Sequence, residues 1–454
     1  MRGPCGSTRR RATDAFPPPG THAAPYRGDG PGAVRSQVPQ LDRPPRPGSG
    51  TAARAGGCGR HPAVAAAAAG PVSRPPAAGR GEPSPLSPAG LGGCVSGTSG
   101  RRSPYRQERP TVSAPQRILL IKPSSLGDVV HALPVLAALR HRWPDAHISW
   151  LVTPACAGLL EGHPLLDQVI LFQRRRLGRI WRSPAAGAEL ADLSRSLRHG
   201  RFDLVIDLQG LFRSGWLAWQ SRARCRVGLS SARELAWVFY THRVAADVNL
   251  HAVDRNLRLA AAVGCPTDSV EFPLHESPDA RQYIDSRIPP GQPIAVLLPG
   301  ANWLTKRWPA SRFAELVDPL HRRHGLNCVT AGGPETAELA AEIPAHYNLS
   351  GQTTLPQLVA LLRRADLVIA NDSGPLHIAA ALGRPLVAVF GPTSPQRSSP
   401  YRREDSVVRL DMPCSPCFSR RCSHRSCLRW LEAQAVLSVV QQQLARHGCG
   451  ALAR

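Results

Sequence analysis

Several short segments combine residues that can do chemistry. Lys122-Pro-Ser-Ser-Leu-Gly-Asp128 offers a lysine, small residues with backbone N–H groups and one carboxylate. Asp128 is either a first-turn acid complementing a helix dipole, worth about 0.3–1 kcal/mol, or a general base in a cleft, worth about 10²–10⁴ in rate. The loop lacks the nucleotide P-loop pattern G-x-x-x-x-G-K-[ST]. A second loop, Leu298 to Pro309, carries Lys306. Lys122 and Lys306 are the only lysines in the chain; every other basic side chain is arginine or histidine. Both follow an apolar run that opens a series of alternating elements. Lysine is a flexible point charge where arginine is a rigid fork, so this usage suits phosphate; solvated loop charge is the plainer alternative.

The third segment is Asn371-Asp-Ser-Gly-Pro-Leu-His377. Pro375 fits a first helical turn, and Ser373 and Gly374 would leave backbone N–H groups pointing outward at an anion. His377 can donate to phosphate or sit as an ordinary partly buried histidine. Asp372 can equally serve as an N-cap. In Ala331-Gly-Gly-Pro-Glu335 the glycines allow close backbone approach, and Glu335 is either a ribose ligand, as in other doubly wound sheets, or a helix-start acid. Finally, Cys414, Cys417, Cys422 and Cys427 lie within fourteen residues. They can hold one structural Zn²⁺ or remain free thiols, since the spacing is not the common paired C-x2-C form. No open His/carboxylate set accompanies them, which argues against a catalytic metal. The other eight cysteines (Cys5, Cys58, Cys94, Cys156, Cys225, Cys265, Cys328, Cys449) are scattered. A reducing compartment without a disulfide framework is the expectation.

The elements that must carry these loops alternate. Arg117–Ile121 is apolar without polar alternation, as in a strand buried on both faces. His147–Val152, Gln168–Phe172, Asp203–Leu208 and Arg226–Leu229 read as further strands. Helical spacing predicts Asp128–Arg140, kinked at Pro134, and helices near 155–161, 186–199, 211–220 and 250–263. After the Pro/Gly linker at 288–291 a second series begins. It has strands Ile294–Leu298, Asn327–Ala331, Leu367–Ala370 and Leu386–Phe390. Its helices are Ser311–Arg323, Glu335–Ile343, Leu355–Arg364 and Leu376–Leu382, with a last helix at Leu431–Arg446. Two such series imply an α/β chain with two doubly wound parallel-sheet domains facing a cleft, and ligands beyond the carboxyl ends of the strands.

Composition sets the frame. The chain has 454 residues, with 56 Lys plus Arg against 32 Asp plus Glu, a net charge of +24. Residues 1–116 hold 16 arginines, 5 acids and 39 Gly or Pro residues. A stretch so composed cannot bury enough apolar surface to offset its ordering entropy, so a disordered leader is expected there. No Gly-X-Y register persists, which excludes collagen. No apolar run reaches the length of a membrane span, and Ala63–Ala69 is too short for a secretory signal core. The expected division is a leader 1–116, a first domain 117–288, a second domain 289–430 and a helix and tail 431–454. Nucleic-acid binding would need basic residues interleaved with aromatics. Aromatics are 5% of the chain and form no such stripe, so that class ranks low.

Five blocks in order resemble the lipopolysaccharide heptosyltransferases of glycosyltransferase family nine: RILLIKPSSLGDVVHALPVL (117–136), DLVIDLQGLFRSG (203–215), LLPGANWLTKRWP (297–309), residues 348–393, and CSPC (414–417). RVGLSSARELAWVFYTHRV (226–244) and HAVDRN (251–256) look more like the first heptosyltransferase than the second. The resemblance implies a GT-B fold and inverting transfer of heptose from ADP-heptose to a lipid A-linked core acceptor bearing Kdo. It implies that the first domain binds acceptor and the second the nucleotide sugar. Carried over by motif, Asp128 is the catalytic base and Lys306 the lysine near the diphosphate. Asp372, Ser373, Gly374 and His377 form the donor motif, with Asn302 in the donor loop and Glu335 as ribose ligand. Ser124, Ser125 and Gly127 are the turn near the sugar.

Arg213, Arg222, Arg224, Arg226 and Arg233 suit an anionic acceptor, and Lys122 is grouped with Arg213 and Arg233 as acceptor-binding. No Asp-x-Asp metal clamp sits at a strand end, so the chemistry is expected to need no cofactor. A basic surface favours peripheral contact with the cytoplasmic face of an anionic inner membrane. The alternative enzyme is a GT-B transferase with another nucleotide sugar or acceptor.

Overall fold

The computed structural model describes residues 114–173 and 183–448. The expected leader, apart from 114–116, and the tail beyond 448 lie outside the described residues. So do Cys5, Cys58, Cys94 and Cys449.

Two six-stranded parallel sheets organise the chain. The first contains β1 (Arg117–Ile121), β2 (His147–Val152), β3 (Gln168–Leu171), β4 (Leu204–Asp207), β5 (Cys225–Leu229) and β6 (His242–Val244), in the order β3-β2-β1-β4-β5-β6. The second contains β7 (Ile294–Leu298), β8 (Asn327–Thr330), β9 (Tyr347–Asn348), β10 (Leu367–Asn371), β11 (Leu386–Val389) and β12 (Val407–Val408), in the order β12-β11-β10-β7-β8-β9. This is the doubly wound arrangement, repeated. Strand order reverses between β1 and β4 in one sheet and between β7 and β10 in the other, the points where such sheets bind ligands. The central strands are sealed on both faces: every residue of β4, β7, β10 and β11 is buried, which is why they read as unbroken apolar runs.

The helices that matter for the site are α1 (Leu126–Val130), α2 (Leu133–Arg142), α3 (Pro184–His199), α4 (Phe212–Gln220), α5 (Ala252–Ala262), α6 (Pro278–Arg287), α7 (Ala310–His324), α8 (Leu355–Arg364), α9 (Gly374–Ala381) and α10 (Ala433–Arg446). The single kinked helix expected over 128–140 is two helices. α1 stops at Val130, and Pro134 lies in the first turn of α2. Proline has no N–H to donate and is tolerated at a helix start, so the chain ends one helix before it and begins another. The helix expected at 155–161 is a short turn, Pro154–Ala157, and that expected at 335–343 is a 3₁₀ turn, Pro334–Thr336, followed by Ala337–Ala341.

α6 was not foreseen. Its residues are mostly polar, with only Ala280 and Ile284 buried, and it starts from Ser277, whose hydroxyl accepts from the Ala280 N–H at 3.2 Å. Although it precedes the linker, α6 packs on α8 of the second half. Arg364 of α8 donates to the carbonyls of Ile288 (2.7 Å) and Pro289, and Tyr283 Oη donates to Gln352 O at 2.8 Å. α10 likewise covers β11 and α7. One buried apolar cluster runs from α2 and the first sheet through α1 and α9 into the second sheet. Separate clusters cover the outer faces.

Candidate active site

α1 and α9 start at the carboxyl edges of β1 and β10, and they meet. Glycine makes this approach possible in both directions. A Cβ on Gly127 would stand 2.6 Å from His377 Cδ2, and a Cβ on Gly374 would stand 2.8 Å from Leu126 Cβ. Both lie inside any permitted carbon contact, so each helix needs its glycine to admit the other.

On the α1 side, Ser125 is the N-cap and Asp128 sits at N3. Asp128 Oδ2 accepts from Ser125 N–H (3.0 Å) and Ser125 Oγ–H (2.8 Å). Burial pushes the Asp128 carboxyl up, but Lys122, the Ser125 hydrogen bonds and His377 together hold it below its ordinary value. Asp128 is therefore a first-turn acid of α1 whose carboxyl is held toward its ionised form. Lys122, expected among acceptor-binding residues, is buried and donates from Nζ to Leu208 O at 2.9 Å. It bridges β1 and β4 at the switch point and acts on Asp128 through its field. Ser124 and Ser125 flank this turn, Ser125 exposed and Gly127 buried.

On the α9 side, Lys306 Nζ is 2.6 Å from Asp372 Oδ2, and Thr393 Oγ1–H donates to the same oxygen at 2.6 Å. This pair bridges the loops after β7 and β10, the second switch point. Asp372 is not the N-cap of α9; Ser373 is, and its Oγ is buried without a hydrogen-bond partner. Lys306 keeps 18% of its side chain exposed and stacks 4.7 Å from the centroid of Trp303, whose ring also lies 4.5 Å from the Arg420 guanidinium. Asn371 is structural: its amide accepts from Trp308 N–H (3.1 Å) and donates to Pro299 O (2.7 Å), fixing the Lys306 loop to β10.

His377 lies between the two sides. Burial pushes it down to about 4; Asp372 and Asp128 oppose the fall, and His251 and Lys306 reinforce it. It is a neutral imidazole at pH 7. Its Nδ1 is 3.1 Å from His131 Nε2, so its Nε2 is the ring atom left for a ligand. His131 is held well below its ordinary value by burial, then by His377, His251 and Lys122. It caps α1, and its carbonyl accepts from Asn256 Nδ2 at 3.0 Å. His251 closes the stack, 5.1 Å from His131 between centroids, with Nε2–H donating to Ser399 O at 2.9 Å.

Asn302 is exposed in the loop after β7. Glu335 is exposed at the end of β8, the neighbouring strand, its carboxylate folded back over Gly333. Among the described residues no hydrogen bond or ion pair joins it to Lys306, Asp372 or His377. Arg213 and Arg233 are exposed on the first half, as are Arg222 and Arg224, whereas Arg226 donates to Phe239 O (2.8 Å) and Ala223 O (2.6 Å). Arg233 has partners that sequence reasoning missed. Burial lowers the Arg255 guanidinium, and Arg397 and Arg233 lower it further. Arg255 Nε is buried without a partner. Arg255 of α5 thus feels the charges of Arg233, in the loop after β5, and of Arg397, in the turn Pro395–Ser398. Asp247 offsets part of this repulsion. The signal was present in HAVDRN, but nothing local says where Arg255 points.

The four clustered cysteines line one cavity of about 350 Å³ with Thr305, Ser419 and His424. No disulfide joins them. Burial raises Cys427, and Cys417, Cys414 and Cys422 raise it further. Among the described residues no three His, Cys, Asp or Glu side chains are gathered to hold a metal ion. The segment also braces the lysine loop: Thr305 Oγ1–H donates to Ser419 O at 2.9 Å.

A family model described as glycosyltransferase family 9 (heptosyltransferase) matches residues 190–427. The lipopolysaccharide heptosyltransferase 1 of Pseudomonas aeruginosa is 33% identical over 323 residues, covering 68% of this chain and 88% of that protein. The chain belongs to glycosyltransferase family 9. Among solved structures, E. coli heptosyltransferase WaaC with ADP superposes with a TM-score of 0.60 at 28% identity, over 72% of this chain and 99% of that one. E. coli ADP-heptose lps heptosyltransferase II gives 0.59 at 26%, over 73% and 99%. The paired sheets are the GT-B fold, and this family 9 member is a glycosyltransferase. The family model spans Lys306, Asp372 and His377. It begins after α1, so the loop bearing Asp128 lies outside that match.

Proposed function

We propose that the enzyme moves heptose from ADP-heptose to an anionic, lipid A-linked acceptor of the lipopolysaccharide inner core, by a single inverting displacement. The observation that carries this reading is the meeting of α1 and α9. It brings the Asp128 carboxyl to the start of α9, with Asp128 and Lys306 both acting on His377. A relative named lipopolysaccharide heptosyltransferase 1 and a neighbour solved with ADP support the donor and acceptor class.

Asp128 takes the proton of the acceptor hydroxyl. The hydroxyl oxygen bonds to the anomeric carbon from the face opposite the leaving group. The bond from that carbon to the diphosphate oxygen breaks, and its electron pair leaves on ADP. Lys306 exchanges Asp372 for phosphate and offsets the developing charge, helped by the N–H groups at the start of α9 and by a donor N–H of His377. Ser373 Oγ supplies a further donor. Ser124, Ser125 and Gly127 shape the sugar side, and Asn302 and Glu335 serve the nucleoside side. Arg213 and Arg233, with Arg255 and Arg397, receive the acceptor's carboxylates and phosphates. The enzyme works at the cytoplasmic face of the inner membrane.

The test offers the purified full chain ADP-heptose or UDP-linked sugars with a Kdo-lipid A acceptor. Consumption of ADP-heptose alone, with inversion at the anomeric carbon, is expected. Preference for a UDP-sugar, or retention of configuration, overturns the reading.

A further inference from the structure

The first half carries an apolar stripe that its own fold leaves uncovered. α4 and the segment 233–239 lie side by side: the Phe212 and Phe239 rings are 5.2 Å apart and those of Trp219 and Phe239 6.4 Å. A Cβ on Gly215 would stand 2.8 Å from Ala236 O, so the helix is pressed onto that segment. The outer surface of the pair presents Leu235 (61% exposed), Trp219 (51%), Val238 (48%) and Phe212 (46%). Glu234 and Leu235 both take left-handed backbone angles (φ 55° and 59°), uncommon for residues other than glycine.

Charge frames the stripe. Residues 212–243 contain six arginines (213, 222, 224, 226, 233, 243) and a single acid, Glu234. Arg213 and Arg233 stand near the carboxyl edge of the first sheet. Arg222, Arg224 and Arg243 stand near the opposite edge, where α4 ends and β5 and β6 begin. The Arg243 guanidinium lies 4.5 Å from the centroid of Trp237. Exposed aliphatic and aromatic side chains with an arginine fringe suit the boundary of an anionic bilayer, where tryptophan settles at the headgroups and arginine meets lipid phosphate. Among the described residues no helix is long and apolar enough to cross a membrane, so such contact lies along the surface. The stripe is also tied to the loop after β4, in which Leu208 O accepts from Lys122. Arg233 N–H donates to Gly210 O at 2.9 Å, joining the loops after β5 and β4.

We propose that the stripe formed by α4 and residues 233–239 docks on an anionic lipid surface, seating the acceptor half so that the headgroup of a membrane-held acceptor reaches Asp128. This rests on the lipid-linked acceptor proposed above. The test is cosedimentation of the purified full chain with phosphatidylcholine vesicles containing or lacking phosphatidylglycerol. Wild type is expected to bind the anionic vesicles and to bind neutral ones at least tenfold more weakly. The double variant Trp219→Ser/Leu235→Ser and the single variant Arg224→Glu each lose about tenfold or more in anionic-vesicle affinity. Both keep the wild-type melting temperature, and the double variant keeps the wild-type turnover on a de-O-acylated, water-soluble acceptor.

Vesicle binding unchanged in both variants, or no binding by wild type, overturns the docking surface. So does a dimer in size-exclusion chromatography that the double variant dissociates, because a second copy then covers the stripe. Vesicle binding decides the surface whether or not heptose is transferred. A chain that binds vesicles as expected but transfers no heptose contradicts the proposed reaction and leaves the surface standing.

Discussion

Lys122 and Lys306 occupy equivalent places in the two sheets, each just beyond the first strand and reaching toward the fourth. They end differently. Lys122 is buried and tied to a backbone carbonyl, Leu208 O, which no incoming ligand replaces easily. Lys306 is partly exposed and tied to the Asp372 carboxylate, an anionic partner that phosphate can replace. One topology thus yields a fixed charge that holds a neighbouring carboxyl toward its ionised form and a second, partly exposed charge paired with a carboxylate. The partner, more than the lysine, sets the role.

Replacing the carboxylate that Lys122 supports is the largest expected perturbation. Asp128→Asn should lower kcat by about 10²–10⁴, the usual range for a general base, with an unchanged melting temperature. Steady-state kinetics beside a thermal melt checks both. Lys306→Ala should come next, with a loss of roughly tenfold or more in donor affinity or turnover, read from the dependence of rate on ADP-heptose concentration. Lys122→Met should act differently. It strands the Leu208 carbonyl, a cost of about 1–3 kcal/mol, and removes a charge that lowers the Asp128 carboxyl. The acid limb of the pH–rate profile should therefore move to higher pH, whereas Lys306→Ala should leave that limb nearer its place.

A separate effect, on stability alone, concerns the interface between the halves. His377 has an ordinary value of 6.5 and is pushed to about 4 in the fold. The unfolded chain therefore binds more protons between those values, and folding stability must fall as pH drops through them. Stability is fully present above about pH 6.5 and, for this residue, loses on the order of 3 kcal/mol by pH 4. His131 adds in the same direction. Denaturant melts across this range should show the decline, and His131→Gln should reduce it.

Much of the fold was legible because the central strands are buried on both faces and so read as short apolar runs. β6, β9 and β12 were not, since strands of two or three residues carry no period. α6 was missed because only two of its ten residues are buried. The site was legible where local sequence builds it: Ser125 capping Asp128, or Ser373 and Pro375 opening α9. It was not legible where residues distant in sequence meet. His131 and His377 are 246 positions apart, and the charge of Arg397 acts on Arg255 from 142 positions further along the chain. Asp372 shows the limit within a motif: its place suggested an N-cap, but its partners are Lys306 and Thr393.

The division of labour between the halves is tested most directly by titrating ADP calorimetrically into wild type, Asp128→Asn and Lys306→Ala. The account predicts that Asp128→Asn binds ADP like wild type while being nearly inactive, and that Lys306→Ala binds it at least about tenfold more weakly. Weakened ADP binding by Asp128→Asn together with unaltered binding by Lys306→Ala would contradict it.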